Sequence, residues 1–285
     1  MSVGLEKKTG TDGSRTSRLE RIWGEAGLAR VQASSVMVLG LGGVGSSCAE
    51  ALARGGVGRL ILVDHDIVQP SNINRQALAF TSTVGRKKTE VMRAMVADIN
   101  PDAQVEIVDK FIYAADVDEL FAPYATQLDY VVDAIDTVSA KLACALYAER
   151  AGIRLVSSMG GANKTKPECL RMADLYDTQN CPLCRVMRKE GRKRGLRHLR
   201  VLYSCEQPVS SYIPALSDAR ERSNLGTVSY MPPIMGQFLA SEVLRALVEG
   251  GNDGEKPAAC LDARPAAHRV AHSDATRVRT EGSDN

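Results

Sequence analysis

The chain of 285 residues is poor in aromatic side chains and has no strong excess of charge of either sign. Aromatic residues make up 5% of the sequence, with a single Trp, and the formal net charge is +2. A protein so close to neutral does not bind nucleic acid through its overall charge, so such binding would need a local basic patch. The apolar fraction of 44% and the charged fraction of 25% indicate an ordinary globular protein that can bury a full core.

Disulfide frameworks, secretion signals and membrane spans are also missing. The seven cysteines form no dense, regular pattern, and the first residues lack a charged and then apolar signal, which favours a reducing cytoplasm. No uninterrupted apolar run is long enough to cross a bilayer. The most apolar stretch, residues 230–249, carries Glu242 and Arg245. It predicts a core helix preceded by prolines and no stable membrane insertion, and it leaves weak membrane association open.

Short apolar runs alternate with helical patterns through the middle of the chain. Strands separated by helices are typical of an α/β fold with a Rossmann-like, mostly parallel sheet, helices on both faces and here a C-terminal extension. We therefore expect one domain at 17–250, with disordered ends at 1–16 and 251–285, which are polar or poor in large apolar residues. The expected strands lie at 36–39, 59–64, 105–109, 128–136 and 153–158, and the expected helices at 44–54, from about 85, and at 139–150.

The stretch VMVLGLGGVGSS, residues 36–47, has the spacing of a nucleotide-binding turn. It follows an expected strand, opens an expected helix, and is followed nineteen residues after its last glycine by Asp64 at the end of the second strand. Glycine N–H groups in such a turn approach phosphates, and an acid at that strand end accepts hydrogen bonds from ribose, without separating NAD from ATP. The glycines are Gly40, Gly42, Gly43 and Gly45.

The residues after Asp64 favour ATP. Convergent Arg and Lys side chains suit a triphosphate, whereas a nicotinamide needs an apolar wall. The segment VVDAIDT then brings Asp133 and Asp136 to a strand end, where a carboxylate can hold Mg²⁺ between phosphate oxygens. Each residue also has a plain structural interpretation, such as Asp136 as a helix N-cap. The residues that we assign to this site are Asp66, Asn72, Arg75, Gln76 and Lys88, the last in the first turn of the next helix.

Residues 15–160 resemble the ATP-dependent adenylating enzymes related to ubiquitin-activating enzymes and to the activators of molybdopterin and thiamine sulfur carriers. The resemblance rests on GLGGVGS, VDHD, N-x-x-R-Q, VG-x-x-K and DAIDT in register. It implies that the glycine turn and Asp64 bind ATP, that Arg75 and Lys88 contact phosphates, and that Asp136 is the acid linked to Mg²⁺. It also implies that Arg18 reaches the neighbouring subunit's site, and therefore a homodimer.

Within that family the sequence is most similar to the branch of tRNA threonylcarbamoyladenosine dehydratases. The similarity extends to SSMGGANKTKP, to CPLCRVMR and to YSCEQPV. It implies a ligase-type enzyme that closes the threonylcarbamoyl group beside the anticodon into a ring. The carboxylate would attack the α-phosphorus of ATP to form an acyl-adenylate, from which a nucleophile of the modified base displaces AMP.

Other functions are weighed against this one. Activators of a ubiquitin-like sulfur carrier would adenylate its C-terminal carboxylate in the same way, and they commonly carry two CxxC pairs that bind zinc. Here only Cys181 and Cys184 form such a pair, and Cys184 and Cys205 depart from the dehydratase pattern, so we do not expect zinc. A non-catalytic nucleotide sensor or an NAD-dependent dehydrogenase would not need the cations and Asp136. A sulfur-transfer partner protein is left open.

A strongly basic strip lies within the segment 181–200. Its eight cations and one acid, Glu190, give residues 185–200 a charge of +7, so the rest of the chain carries 2 − 7 = −5. Four of the cations have the i, i+3, i+4, i+7 spacing of one helix face, which could follow the phosphates of a tRNA, although charge runs are often simply solvated. The cations are Arg185, Arg188, Lys189, Arg192, Lys193, Arg194, Arg197 and Arg200.

Overall fold

The computed structural model describes residues 13–210 and 225–250. Of the ends that we expect to be disordered, 1–16 and 251–285, residues 1–12 and 251–285 lie outside the described residues. Within 13–16, Arg15 donates a hydrogen bond to Asn100 at 2.9 Å. The described chain forms one seven-stranded sheet with helices on both faces. Its strands are β1 Ser35–Leu39, β2 Arg59–Val63, β3 Gln104–Val108, β4 Tyr130–Asp133, β5 Leu155–Ser158, β6 Leu170–Asp174 and β7 Arg200–Ser204. Its α-helices are α1 Ser17–Ala33, α2 Gly43–Arg54, α3 Lys88–Ile99, α4 Val117–Phe121, α5 Val138–Ala151, α6 Pro182–Lys193 and α7 Met231–Glu249.

The strand order is β3-β2-β1-β4-β5-β7-β6, and all neighbours are parallel except β6 and β7. The expected α/β fold with a mostly parallel sheet is therefore confirmed. Leu39 of β1 pairs with Val63 on one side and with Asp133 on the other. The carboxyl ends of β1, β2 and β4 consequently meet at one edge of the sheet.

Side chains of the central strands alternate between two cores, because successive residues of a strand point to opposite faces. Val36 and Val38 join the core under α1, α2, α3 and α7, whereas Met37 and Leu39 join the core under α4, α5 and α6. Both faces of the sheet are thus covered. This explains why the central strands β1 and β2 are nearly continuous apolar runs without polar alternation.

The apolar segment 230–249 forms α7, which packs its buried side chains onto α2 and the sheet. The prolines do not precede this helix, as we expected, but stand in its first turn as Pro232 and Pro233. Proline fits there because the first N–H groups of a helix have no intrahelical acceptor. No helix within 13–210 and 225–250 combines the length and the apolar character needed to cross a membrane.

The glycine turn joins β1 to α2 at very short range. Gly40 has a φ of +84°, a value that favours glycine. A Cβ on Gly45 would lie only 1.8 Å from the carbonyl oxygen of Gly40, whereas a Cβ on Gly42 would meet no atom of the described residues within 4 Å. Gly45 therefore serves close packing of helix on strand, and Gly42 keeps the backbone accessible.

We expect Gly45→Ala to destabilise the protein by about 1–3 kcal/mol or more, because the added methyl group cannot be accommodated without moving α2. Gly42→Ala is the matched control and should leave the stability nearly unchanged. Urea denaturation followed by circular dichroism measures both. Equal midpoints for the two variants would contradict the close-packing role of Gly45.

Candidate active site

A cavity of about 330 Å³ opens at the edge where β1, β2 and β4 end. It brings together most of the residues that the sequence assigns to nucleotide binding. Gly45 is part of the turn but does not line the cavity, and neither do Arg18 and the basic strip. The assigned residues that do line it are Gly40, Gly42, Gly43, Asp64, Asp66, Asn72, Arg75, Gln76, Lys88 and Asp136.

Asp64 is buried at the end of β2 and ties the glycine turn to that strand. One of its oxygens, Oδ2, accepts a hydrogen bond from the N–H of Leu41 at 2.6 Å, and Oδ1 accepts one from the N–H of Asp66 at 2.8 Å. An ionised carboxylate has about four acceptor positions. Asp64 is therefore held rigidly and still has acceptor capacity for ligand hydroxyls.

The two cations that the sequence assigns to the cavity, Arg75 and Lys88, have partners that a phosphate can replace. The buried Lys88 donates from Nζ to Oδ2 of Asp66 at 2.8 Å. Arg75 donates to the carbonyl oxygen of Ser71 at 3.0 Å and to Oδ1 of Asn74 at 2.8 Å. Because neutral oxygens bind a guanidinium less strongly than an anion does, Arg75 is available to an anionic ligand.

Asn72 and Gln76, whose side-chain amides lie in the segment between β2 and α3, have different roles. Oδ1 of Asn72 accepts the N–H of Gln69 at 3.0 Å, so Asn72 closes the turn that carries Arg75. Gln76 is buried in the cavity wall, and its Oε1 has no hydrogen-bond partner in the part of the chain that the structure describes. A buried, unpaired oxygen is costly unless a ligand or water satisfies it. Gln76 therefore fits a polar ligand.

The two acids of the DAID segment lie in opposite environments. Asp133 is fully buried, and its Oδ2 lies 3.0 Å from Nζ of Lys141. Asp136 is exposed in the cavity wall. Among the described residues, its side chain accepts one long hydrogen bond, from Oγ1 of Thr137 at 3.4 Å. Asp136 thus offers the carboxylate oxygens that Mg²⁺ prefers, whereas Asp133 is already occupied.

Several lining residues were not predicted. They lie at the ends of β2, β3 and β4 or within four residues after them, and the parallel order of the strands could have indicated them. Phe111 contacts His65 edge to face, with ring centroids 4.6 Å apart, and gives the cavity one aromatic wall. The unpredicted residues are Val63, His65, Lys110, Phe111, Ile112, Ala134, Ile135 and Thr137.

Arg18 lies on α1, away from the cavity. Its side chain is exposed and has no hydrogen-bond or ion-pair partner among the described residues. On the same helix face, one turn along, Ile22 is 81% exposed. Within one chain, Arg18 therefore does not complete the site.

Residues 185–193 of the basic strip lie on α6, as the helical spacing predicts, but the cations of the strip are not equivalent. Arg188 donates to the carbonyl oxygen of Thr178 at 2.9 Å, and Arg200 pairs with Glu242 at 2.8 Å, so both hold the fold together. Hydrogen bonds from Arg194 and Lys193 lower the pKa of Glu190 to about 2, which keeps that acid charged and paired.

The other four cations of the strip are exposed. Arg197 contacts Glu149 at 3.3 Å, and Arg192 lies 5.0 Å from the centre of the ring of Tyr176. The exposed Arg185 and Lys189 have no side-chain partner within the described residues.

The cysteines near α6 form two close contacts and no larger cluster. Cys181 caps the start of α6 and accepts the N–H of Cys184 at 3.5 Å. A hydrogen bond from the Cys184 thiol lowers the pKa of Cys181 to about 6. The N–H of Cys205 donates to the carbonyl oxygen of Cys169 at 3.0 Å. No three cysteine sulfurs among the described residues lie close enough together to share a metal ion.

Comparisons with known proteins agree with this geometry. The ThiF family matches residues 14–278 of the chain. A Bacillus subtilis protein named tRNA threonylcarbamoyladenosine dehydratase is 40% identical over 83% of this chain and 91% of its own. A Haemophilus influenzae protein of the same name is 40% identical over 63% of this chain and 67% of its own.

A solved structure shows the same fold. It is the Escherichia coli tRNA N6-threonylcarbamoyladenosine dehydratase in complex with ATP, with a TM-score of 0.74 and 29% identity over 85% of this chain and 96% of that chain. The resemblance drawn from the motifs is thereby confirmed. The chain belongs to the ThiF family and, within it, to the branch of the tRNA threonylcarbamoyladenosine dehydratases.

Proposed function

We propose that the protein uses ATP to dehydrate threonylcarbamoyladenosine in tRNA, closing the threonylcarbamoyl side chain into a ring through an acyl-adenylate. The observation that carries this proposal is that the glycine turn, Asp64, Arg75, Lys88 and the exposed carboxylate of Asp136 converge on one cavity. The identity of 40% to a relative so named, over 91% of that relative, supports the same substrate.

The proposed chemistry explains why the site needs ATP. A carboxylate cannot expel its own oxygen, so its attack on the α-phosphorus of ATP forms an acyl-adenylate and releases pyrophosphate. A nucleophile of the modified base then attacks the acyl carbon, the ring closes, and AMP leaves with the carboxylate oxygen. Arg75 and Lys88 would stabilise the negative charge that develops on the phosphates. Mg²⁺, which Asp136 and Gln76 could hold through oxygen ligands, would neutralise further phosphate charge.

The same proposal includes a homodimer in which Arg18 completes the site of the partner subunit. The support is that Arg18 and Ile22 form an exposed, unpartnered face of α1. The segment between β2 and α3, which carries Arg75 into the cavity, also exposes a series of large apolar side chains that a second copy could cover. These are Ile67, Ile73, Phe80 and Val84, exposed by 44%, 43%, 53% and 38%.

Within this proposal the exposed cations of α6 bind tRNA phosphates. Arg185 and Lys189 are four residues apart on one helix face and have no partner among the described residues to give up. Arg188 and Arg200 would instead shape the surface, since their side chains hold Thr178 and Glu242. We also propose the cytoplasm as the location, because the six described cysteines are free thiols.

Incubation of the protein with ATP and tRNA that bears threonylcarbamoyladenosine should give a nucleoside lighter by one water. Asp136→Ala should lower this turnover by about 10²–10³-fold, since it removes an interaction strongest in the transition state. Mass spectrometry of the digested tRNA measures the product. Asp118→Ala, which removes an exposed carboxylate of α4 outside the cavity, is the control.

A threonylcarbamoyladenosine nucleoside of unchanged mass after the incubation would contradict the proposed reaction. ATP–pyrophosphate exchange that depended on a ubiquitin-like carrier and ignored tRNA would support activation of a sulfur carrier in its place. Near-normal AMP release by Asp136→Ala in the presence of tRNA would mean that this acid was wrongly assigned.

Mixing inactive Arg18→Ala with inactive Asp136→Ala should restore activity if the site is shared between subunits. After random exchange, half of the dimers are hybrids, and each has one site with both wild-type groups, so about a quarter of the wild-type activity should return. The activity is measured after exchange has been verified by native mass spectrometry.

The control is a mixture of Lys88→Ala with Asp136→Ala. Both residues line the same chain's cavity, so no hybrid site contains both wild-type groups. Recovery in this control, or no recovery with Arg18→Ala, would refute the shared site.

The double variant Arg185→Ala/Lys189→Ala should weaken tRNA binding and reduce the slope of log affinity against log salt by about 1.4–1.8, or roughly 0.7–0.9 per lost phosphate contact. Filter binding at several salt concentrations measures both quantities. ATP binding should not change, because neither residue lines the cavity.

The matched control is Arg54→Ala/Arg93→Ala, which removes the same charge from exposed positions of α2 and α3. An equal loss of affinity in both double variants would mean that the overall charge matters and that α6 is not the tRNA surface.

A further inference from the structure

A lysine is completely buried beside the cavity. Lys141 of α5 and Asp133 of β4 both have exposed fractions of 0%, and Nζ lies 3.0 Å from Oδ2. Burying two charges costs solvation that their attraction only partly returns, so an apolar pair of similar volume would often be as stable. Stability alone therefore does not explain this ion pair.

The two members of the ion pair bind the two backbone polar groups of Ile135, its carbonyl oxygen and its N–H. Nζ of Lys141 donates to the carbonyl oxygen of Ile135 at 3.1 Å, and the N–H of Ile135 donates to Oδ1 of Asp133 at 3.2 Å. The hydroxyl of Ser157 on β5 donates to Oδ2 of Asp133 at 2.6 Å. Asp133 is thus anchored to the sheet, and Lys141 anchors the segment that follows it.

That segment is the wall of the cavity. Ile135, Asp136 and Thr137 line it, whereas Lys141 does not. The preceding residue, Ala134, lies against the glycine turn, where a Cβ on Gly40 would come within 3.0 Å of its carbonyl oxygen. Because the Ile135 carbonyl belongs to the peptide bond that leads into Asp136, its orientation helps set where the Asp136 carboxylate stands.

We propose that Lys141 is a positioning residue for Asp136, acting through the carbonyl oxygen of Ile135 with Asp133 as its counter-ion. This inference rests on the proposed function, in which Asp136 serves the adenylation of the tRNA substrate. A small displacement of a group that acts on the reacting atoms can cost about 100-fold in rate. A lysine reaches the Ile135 carbonyl and neutralises Asp133 at the same time, which no apolar residue can do.

The test compares Asp133→Asn/Lys141→Met, which removes both charges together, with Lys141→Arg, which keeps a cationic donor. Hydrogen–deuterium exchange with mass spectrometry reports on residues 134–137 and needs no ligand. The double variant should exchange faster there, while the rest of β4 and α5 keeps its protection.

The kcat of the double variant for AMP release should fall about 10–100-fold, with a smaller change in the affinity for ATP. The Mg²⁺ concentration that gives half of its maximal rate should rise. Lys141→Arg should keep both the exchange at 134–137 and kcat within a few-fold of wild type.

Leu142→Ala is the matched control for destabilisation. Leu142 is the next residue of α5, is buried in the core and has an apolar side chain that cannot donate a hydrogen bond to the Ile135 carbonyl. It should lower the melting temperature without changing kcat or exchange at 134–137 well below that temperature.

Wild-type exchange and kcat in the double variant would overturn the proposal. So would a loss of protection throughout β4 and α5, which would show a structural role only, or the same kcat loss in Leu142→Ala. If wild-type protein produced no cyclised nucleoside, the proposed function would fail, and the exchange at 134–137 would still decide whether Lys141 orders that segment.

Discussion

The close approach of α2 to the end of β1 is the contact on which the rest of the site depends. Gly45 permits it, because any side chain there would collide with the Gly40 carbonyl. The opposite side of α2 is fixed as tightly, since a Cβ on Gly236 of α7 would lie 2.4 Å from the carbonyl oxygen of Val44. Held between strand and helix, α2 presents its N-terminal turn to the cavity, where its free N–H groups favour an anion.

The position of the cavity then follows from the strand order. The chain runs outward from β1 through β2 to β3 and returns to the other side of β1 for β4. At such a reversal the connections leave in opposite directions and a crevice opens beyond the carboxyl ends of the strands. Residues that are far apart in the sequence, such as Asp64 and Asp136, line the crevice together for this reason.

The charged side chains of the crevice are paired so that an entering phosphate can replace one protein partner of a cation. Asp66 holds Lys88 at 2.8 Å and lies 3.1 Å from Nε2 of His65. Burying a lysine without a partner would be costly, so the contact with Asp66 allows Lys88 to lie buried in the cavity wall. A phosphate that enters the cavity can bind Lys88 in place of Asp66. The Asp66 carboxylate is half exposed, so once displaced it can be hydrated by solvent.

Much of this could be predicted from the sequence, because the signals are local. The glycine spacing, the strand ends and the first turn of α3 each lie within a few residues, and ten assigned residues do line one cavity. The antiparallel β6–β7 pair was missed because β7 enters the sheet between β5 and β6, a pairing that no local pattern indicates. Arg188 was grouped with the solvent-facing cations because helical spacing does not reveal that it binds Thr178.

Asp133 and Asp136 show most clearly what a sequence pattern cannot predict. They are three residues apart at one strand end and have the same side chain. Their opposite environments come from distant partners: Lys141 on α5 and Ser157 on β5 both contact Asp133. Asp133 is still inside the strand, where its side chain must point to one of the two covered faces, whereas Asp136 is beyond the last paired residue. A carboxylate on a covered face needs a buried cation. Lys141 is thus required by Asp133, and Asp136 is left free because the sheet has already ended.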